Sequence, residues 1–167
     1  MGQGFTRVLG IDPGLRLTGY GVVDLADGAV EPTLVEGGVI RLDGKRPMEE
    51  RLAELSEELG SLIGRLSPDR AAVEKLYAHY AHPRTAILMG HARGVILLRA
   101  AGAGLPVAHL AATEVKKSLT GHGHASKEQV QLAVQAQCGL AEVPSPPDVA
   151  DAIAIALCHA RRLVTGG

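Results

Sequence analysis

Four acidic residues occupy places where a carboxylate would be costly unless it had a partner. Asp12 ends a short apolar run and is followed directly by Pro-Gly, which predicts a buried strand that delivers this carboxylate to its carboxyl end. Glu74 lies in a second apolar run, and Asp148 and Asp151 are three residues apart in an apolar stretch with helical character, so they share one helix face. A lone carboxylate in such surroundings costs several kcal/mol or takes up a proton.

Three of these acids also have a purely structural interpretation. Asp12 could simply begin an Asp-Pro-Gly turn, and Glu74 could face water from an edge strand. Asp148 could stabilise the first turn of a helix through the helix dipole. Asp151 has no such explanation, because the residues around it are among the most apolar in the chain.

Taken together, the acids predict a metal centre. Open α/β sheets bind ligands beyond the carboxyl ends of their strands, and four carboxylates brought close together would repel one another unless cations neutralised them. Oxygen ligands select Mg²⁺ or Mn²⁺ over zinc. Two such ions about 4 Å apart can activate a water and stabilise the leaving oxygen in phosphodiester hydrolysis.

The charge distribution indicates an anionic substrate. The net charge is −1, yet residues 75–131 contain seven Lys or Arg against two Asp or Glu. Lys116, Lys117 and Lys127 flank a glycine-rich loop in this basic segment and are candidates to hold phosphates, although they could be generic surface lysines.

Three further residues of the basic segment are candidate nucleic-acid contacts. Tyr77 follows Glu74 by three residues and could stack on an unpaired base, or be an ordinary half-buried tyrosine. His122 and His124 lie in the glycine-rich loop, where they could meet the DNA backbone, and they lack the partners that a zinc site needs.

The elements that must position these residues are predicted from turn chemistry and apolar periodicity. We expect one domain over residues 1–167 with an α/β fold, in which a mixed five-stranded sheet has helices on both faces. Its first three strands are antiparallel and the last two are parallel. The expected strands are Arg7–Asp12, Thr18–Leu25, Val35–Leu42, Ala71–Leu76 and Pro106–Leu110. The expected helices are Pro47–Leu66, Pro83–Ala101, Thr113–Leu119, Lys127–Cys138 and Pro146–Leu163.

Helix ends and one unusual helix add detail. Thr113, Ser126 and Ser145 are predicted helix caps, the second in a capping box with Gln129. The helix predicted from Pro83 is apolar around much of its circumference, so it needs two buried faces, one of which a second copy of the chain could cover.

The composition and the apolar runs indicate where in the cell the protein is expected to act. The two cysteines, Cys138 and Cys158, have no CxxC spacing and are expected to be buried thiols of a cytoplasmic protein. The first residues lack a signal-peptide pattern. No apolar run approaches the ~20 residues of a membrane span, so we expect no membrane association.

Five motifs in order along nearly the whole chain resemble those of the RuvC family of bacterial Holliday-junction resolvases. They are GIDPGLRLTGYG (10–21), AVEKLY (72–77), GHARG (90–94), GHGHASKEQV (121–130) and DVADAIAIA (148–156).

The resemblance implies a ribonuclease-H-like fold and a homodimer that nicks two symmetric strands of a four-way DNA junction. It also implies dependence on Mg²⁺, 5′-phosphate products, and work alongside a junction-binding and branch-migration complex of the RuvA and RuvB type. The four acids fall on the family's catalytic positions. Tyr77 falls where the family carries an aromatic residue, often Phe, and Lys116 and Lys127 fall on basic positions tied to cleavage. The tyrosine and the two loop histidines depart from the family's usual pattern.

Two other functions fit parts of the sequence. The segment from Asp12 to Gly21 resembles the phosphate-binding hairpin of sugar kinases and actin-like ATPases, but those enzymes need two such domains and 167 residues supply one. A non-catalytic junction-binding scaffold would gain nothing from Asp151 in an apolar helix.

Overall fold

The computed structural model describes residues 4–76 and 82–166, and it contains the predicted mixed sheet. The strand order is β3-β2-β1-β4-β5. β1 pairs antiparallel with β2, and β2 with β3, whereas β4 runs parallel to both β1 and β5. The strands are β1 (Phe5–Asp12), β2 (Leu17–Ala26), β3 (Thr33–Arg41), β4 (Arg70–Glu74) and β5 (Val107–Leu110).

The helices lie on both faces of this sheet, as predicted. They are α1 (Met48–Leu66), α2 (Pro83–Gly102), α3 (Ala112–Thr120), α4 (Lys127–Gln137) and α5 (Pro147–Thr165). One apolar core joins α3, α4 and α5 to the sheet, and the other joins α1 and α2 to its opposite face. Because strand side chains alternate between the two faces, β1 serves both cores, with Val8 in the first and Leu9 in the second.

The ends of the helices confirm one predicted cap and correct two others. Ser126 caps α4: its hydroxyl accepts a hydrogen bond from the Gln129 amide at 3.1 Å, and the Gln129 side chain accepts one from the Ser126 amide at 2.8 Å. Thr113 lies inside α3, because that helix begins one residue earlier, after Ala111. Ser145 does not cap α5, whose N-cap position is held by Pro146.

The described helices lack the combination of length and apolar character that crossing a bilayer requires.

Candidate active site

The sheet register places Asp12 and Glu74 side by side. Ile11 of β1 pairs with Val73 of β4 in the parallel ladder, so the next residue of each strand leaves the sheet at the same edge. Asp12 is the last residue of β1 and Glu74 the last of β4. Since β4 lies between β1 and β5, the interpretation of Glu74 as an edge-strand residue is wrong.

Helix α5 brings the other two acids because its backbone lies unusually close to the sheet. Gly10 of β1 pairs with Gly21 of β2, so two residues without side chains are adjacent beneath this helix. A Cβ atom at Gly10 would stand 2.4 Å from the carbonyl oxygen of Ala152, and one at Gly21 would stand 2.7 Å from Cα of Ile153. This approach lays the start of α5 over the end of β1.

Three of the acids share one cavity with two lysines. A cavity of about 260 Å³ is lined by Asp12, Glu74 and Asp151 together with Lys116 and Lys127. The rest of its described wall is apolar, formed by Ala112, Val115, Val130 and Ala154. An apolar wall around charged groups strengthens their mutual electrostatic interactions.

Asp12 is the electrostatic centre of this group. Burial, followed by the charges of the other three acids, raises the pKa of Asp12 from 3.8 to about 8. Asp148 is not among the described residues that line the cavity, yet its charge contributes to this shift. Without a neutralising cation, Asp12 is therefore largely protonated at neutral pH.

Burial is also the main cause of a raised pKa at two neighbouring acids. The pKa of Glu74 rises through burial and the charge of Asp151, while Lys116 and Lys127 oppose the shift. The pKa of Asp151 rises through burial, with Lys127 opposing and Asp148 adding to it. The two lysines thus already supply part of the positive charge that the carboxylates require.

The donor set of this site fits a hard divalent cation. Its acidic ligands would all be carboxylate oxygens, the preferred donors of Mg²⁺ and Mn²⁺. Among the described residues, no group of three or more His, Cys, Asp or Glu side chains is arranged so that it could hold a metal ion on its own. Magnesium does not need such a group, since one or two carboxylates, waters and substrate phosphates commonly complete its shell.

Three other predicted DNA contacts are not among the described residues that line the cavity. Lys117 is exposed on α3, and His122 and His124 are exposed in the loop that follows. The three are absent from the described lining of the cavity, and their predicted contacts would have to be with more distant parts of a substrate. Tyr77 lies outside the described residues.

One residue near the site was missed by reasoning from residue types. Arg93 of α2 donates a hydrogen bond from Nε to the backbone carbonyl of Glu74 at 3.3 Å, and its guanidinium also contacts Nδ1 of His109. Arg93 therefore holds the end of β4 from the face of the sheet opposite to α5. Its position in GHARG was a signal, but only the fold shows that α2 passes behind Glu74.

Comparison with known proteins finds one family over most of the chain. The family model described as "Crossover junction endodeoxyribonuclease RuvC" matches residues 8–159. A protein of that name from Rhodopirellula baltica is 51% identical over 151 residues, which cover 90% of this chain and 84% of the relative. Another from Desulforamulus reducens is 41% identical over 160 residues, covering 96% of each chain.

Solved structures match the whole architecture. The structure described as Thermus thermophilus RuvC in complex with Holliday junction substrate is 38% identical, with a TM-score of 0.88 and 96% of each chain covered. The yeast mitochondrial Holliday junction resolvase, 18% identical with a TM-score of 0.65 over 93% of this chain and 78% of that one, shares the fold. The sheet, the helices on both faces and these matches identify a ribonuclease-H-like fold. The chain belongs to the RuvC family of crossover junction endodeoxyribonucleases.

Proposed function

We propose that this chain resolves four-way DNA junctions in recombination and repair by paired symmetric nicks that leave 5′-phosphate ends. The observation that carries the proposal is the cavity in which Asp12, Glu74 and Asp151 meet Lys116 and Lys127. These acids come from two parallel strand ends and one crossing helix, so the fold has to be complete before the site exists.

Asp12, Glu74, Asp148 and Asp151 are the residues that hold the metal, with Mg²⁺ as the natural ion, Mn²⁺ able to replace it, and two ions per site. When bound, such ions supply activation of the attacking water and stabilisation of the leaving oxygen. The carboxylates would hold such ions in the cavity, and the positive charge that the ions supply would help to bind and orient the reacting phosphate. The rise in the pKa of Asp12 through burial and the charges of the other three acids supports this role, because strongly perturbed carboxyl pKa values cluster at functional sites.

Lysines complete the recognition of the phosphate. Lys116 is half-buried and Lys127 is exposed at the start of α4, and both line the same cavity as the acids. Their ammonium groups are positive point charges that can bind a phosphate oxygen in the site. Lys117, His122 and His124 contact the DNA backbone further out, and Tyr77 stacks on a base near the crossover.

A homodimer places two such sites on one junction, and α2 is the helix that we assign to its interface. Ile87 and Leu98 are 63% and 72% exposed and lie eleven residues apart, three helical turns, on one face. Gly90 and Gly94 lie between them, and neither would bring a Cβ within 4 Å of another atom, so a second helix could approach closely. Two large exposed aliphatic side chains on one face are better explained by a second copy than by solvent.

The proposed reaction also implies where the protein acts and with which partners. Four-way junctions arise on chromosomal DNA, so the protein acts in the bacterial cytoplasm beside proteins of the RuvA and RuvB type that bind and migrate the junction. These partners rest on the family relationship rather than on a feature of the described surface.

Replacement of Asp151 by Asn tests the proposal. Asp151→Asn removes one negative charge from the cavity at constant size, so we expect junction binding to persist while nicking in Mg²⁺ falls by at least about 10³-fold. Glu128→Gln is the matched control, because Glu128 is an exposed acid on the neighbouring helix α4. Cleavage by Asp151→Asn at the rate of the control would exclude the assignment of the site.

A further inference from the structure

Gly19 occupies a position between two of the proposed metal ligands. In the antiparallel ladder of β1 and β2 it pairs directly with Asp12. On the helix side of the sheet it lies beneath the first turn of α5: a Cβ at Gly19 would stand 2.1 Å from the carbonyl oxygen of Asp148 and 2.6 Å from its carbonyl carbon. Gly19 is buried, so this contact is part of the packed interior.

This contact differs from those of Gly10 and Gly21, where a Cβ would also meet the backbone of α5. Gly10 faces Ala152 and Ala156, and Gly21 faces Ile153, all of which lie further along the helix. Gly19 alone among these three lies under the first turn, at the residue that carries a proposed metal ligand. The spacing between sheet and helix at this point therefore sets where Asp148 stands relative to Asp12.

We propose that Gly19 is a positioning residue for the metal centre, whose missing side chain lets the first turn of α5 pack against β2 so that Asp148 can share a metal ion with Asp12. The inference rests on the proposed function of the four acids. It assigns no direct contact between Gly19 and the substrate, so its effect acts through Asp148.

The size of the expected displacement follows from the distances. Real Cβ atoms essentially never approach another heavy atom closer than 3.0 Å, so the Asp148 carbonyl would have to retreat by about 1 Å from an alanine at position 19. The strand cannot move in its place, because β2 is hydrogen-bonded between β1 and β3. The first turn of α5 has no side-chain cap to anchor it, so it is the part that yields.

A misplacement of about 1 Å at a reacting centre can lower a rate on the order of 10²-fold. We therefore expect Gly19→Ala to reduce nicking by about 10²-fold at saturating Mg²⁺. We also expect it to weaken Mn²⁺ binding at least about 10-fold, measured by titration calorimetry without DNA. Junction binding in EDTA should remain within about threefold of wild type, because the lysines of α3 and α4 are not displaced.

Two control variants separate positioning from stability. Gly64→Ala adds the same methyl group in α1, where a Cβ meets nothing within 4 Å, and should leave all three measurements unchanged. Leu62→Ala truncates the core on the other face of the sheet and lowers the melting temperature without touching α5. Mn²⁺ affinity that falls in Gly19→Ala but stays at the wild-type value in Leu62→Ala supports positioning.

The outcomes distinguish this inference from the proposed function. If wild type binds Mn²⁺ and Asp12→Asn does not, the metal assignment holds. A folded Gly19→Ala variant that still binds Mn²⁺ with the affinity of wild type then overturns the role of Gly19. If wild type itself binds no Mn²⁺, the proposed metal centre fails first. Should Gly19→Ala not fold, Asp148→Ala tests the same route without changing the sheet, because Gly19 acts only through Asp148, and it should weaken Mn²⁺ binding by a similar factor. Unchanged Mn²⁺ affinity in that variant would equally overturn the inference.

Discussion

Asp12→Asn should stabilise the metal-free protein while abolishing its function. In the folded state without metal, burial and the three neighbouring acids raise the pKa of Asp12 from 3.8 to about 8. Between these two pH values the folded protein holds a proton that the unfolded chain has released. Wild-type stability therefore falls as the pH rises through this window and is lowest above pH 8. Asparagine cannot ionise, so the variant does not lose folding stability in this way as the pH rises.

The size of the effect follows from the same pKa. A carboxyl pKa displaced from 3.8 to about 8 corresponds to an upper bound of roughly 6 kcal/mol. Local relaxation and entry of water reduce this penalty in real proteins, so we expect about 2–3 kcal/mol at pH 8.5. At about 2–4 °C per kcal/mol for a chain of this size, the variant should melt roughly 4–12 °C above wild type.

Thermal unfolding in EDTA at pH 5 and pH 8.5 measures this difference, with Asp27→Asn as a control that makes the same change in an exposed turn. The difference between Asp12→Asn and wild type should be large at pH 8.5 and shrink at pH 5. Mg²⁺ should raise the melting temperature of wild type but not of Asp12→Asn, because a ligand stabilises only the state that binds it. Equal melting temperatures of wild type and Asp12→Asn in EDTA at pH 8.5 would refute the electrostatic reasoning.

Two further predictions address the substrate and the dimer. Lys127→Ala removes a positive charge that faces three of the acids, so junction cleavage at neutral pH should fall by at least about 10-fold under single-turnover conditions. An unchanged cleavage rate would contradict the proposal that Lys127 binds the phosphate. If α2 forms the proposed dimer interface, Leu98→Glu should convert the protein to a monomer in sedimentation experiments, because it places a charge on the exposed face of α2. Leu132→Glu, at an exposed site on α4, should not. A Leu98→Glu dimer as stable as wild type would place the interface elsewhere.

The three acids that share the cavity stand out in the sequence because each one ends or interrupts an apolar run. An apolar strand followed by Asp-Pro-Gly, and an Asp inside an apolar helix, are local signals that need no tertiary information. The capping box at Ser126 was predicted correctly for the same reason, since both of its hydrogen bonds join residues close in sequence.

Features that depend on register or on neighbouring elements could not be predicted in this way. The pairing of Gly10 with Gly21, and of Gly19 with Asp12, exists only once β1 and β2 are aligned. Thr113 is a favourable capping residue by type, but α3 starts before it, after the end of β5. Lys116 and Lys127 line the cavity, whereas Lys117 does not. This difference depends on how α3 and α4 pack against α5.

Incubation of the protein with a mobile four-way junction and with linear duplex of the same sequence, in Mg²⁺ and in EDTA, tests the central claim most directly. The account predicts symmetric nicks with 5′-phosphate ends on the junction alone, in Mg²⁺ alone. Cleavage of the linear duplex at a comparable rate, or nicking that persists in EDTA, would contradict it.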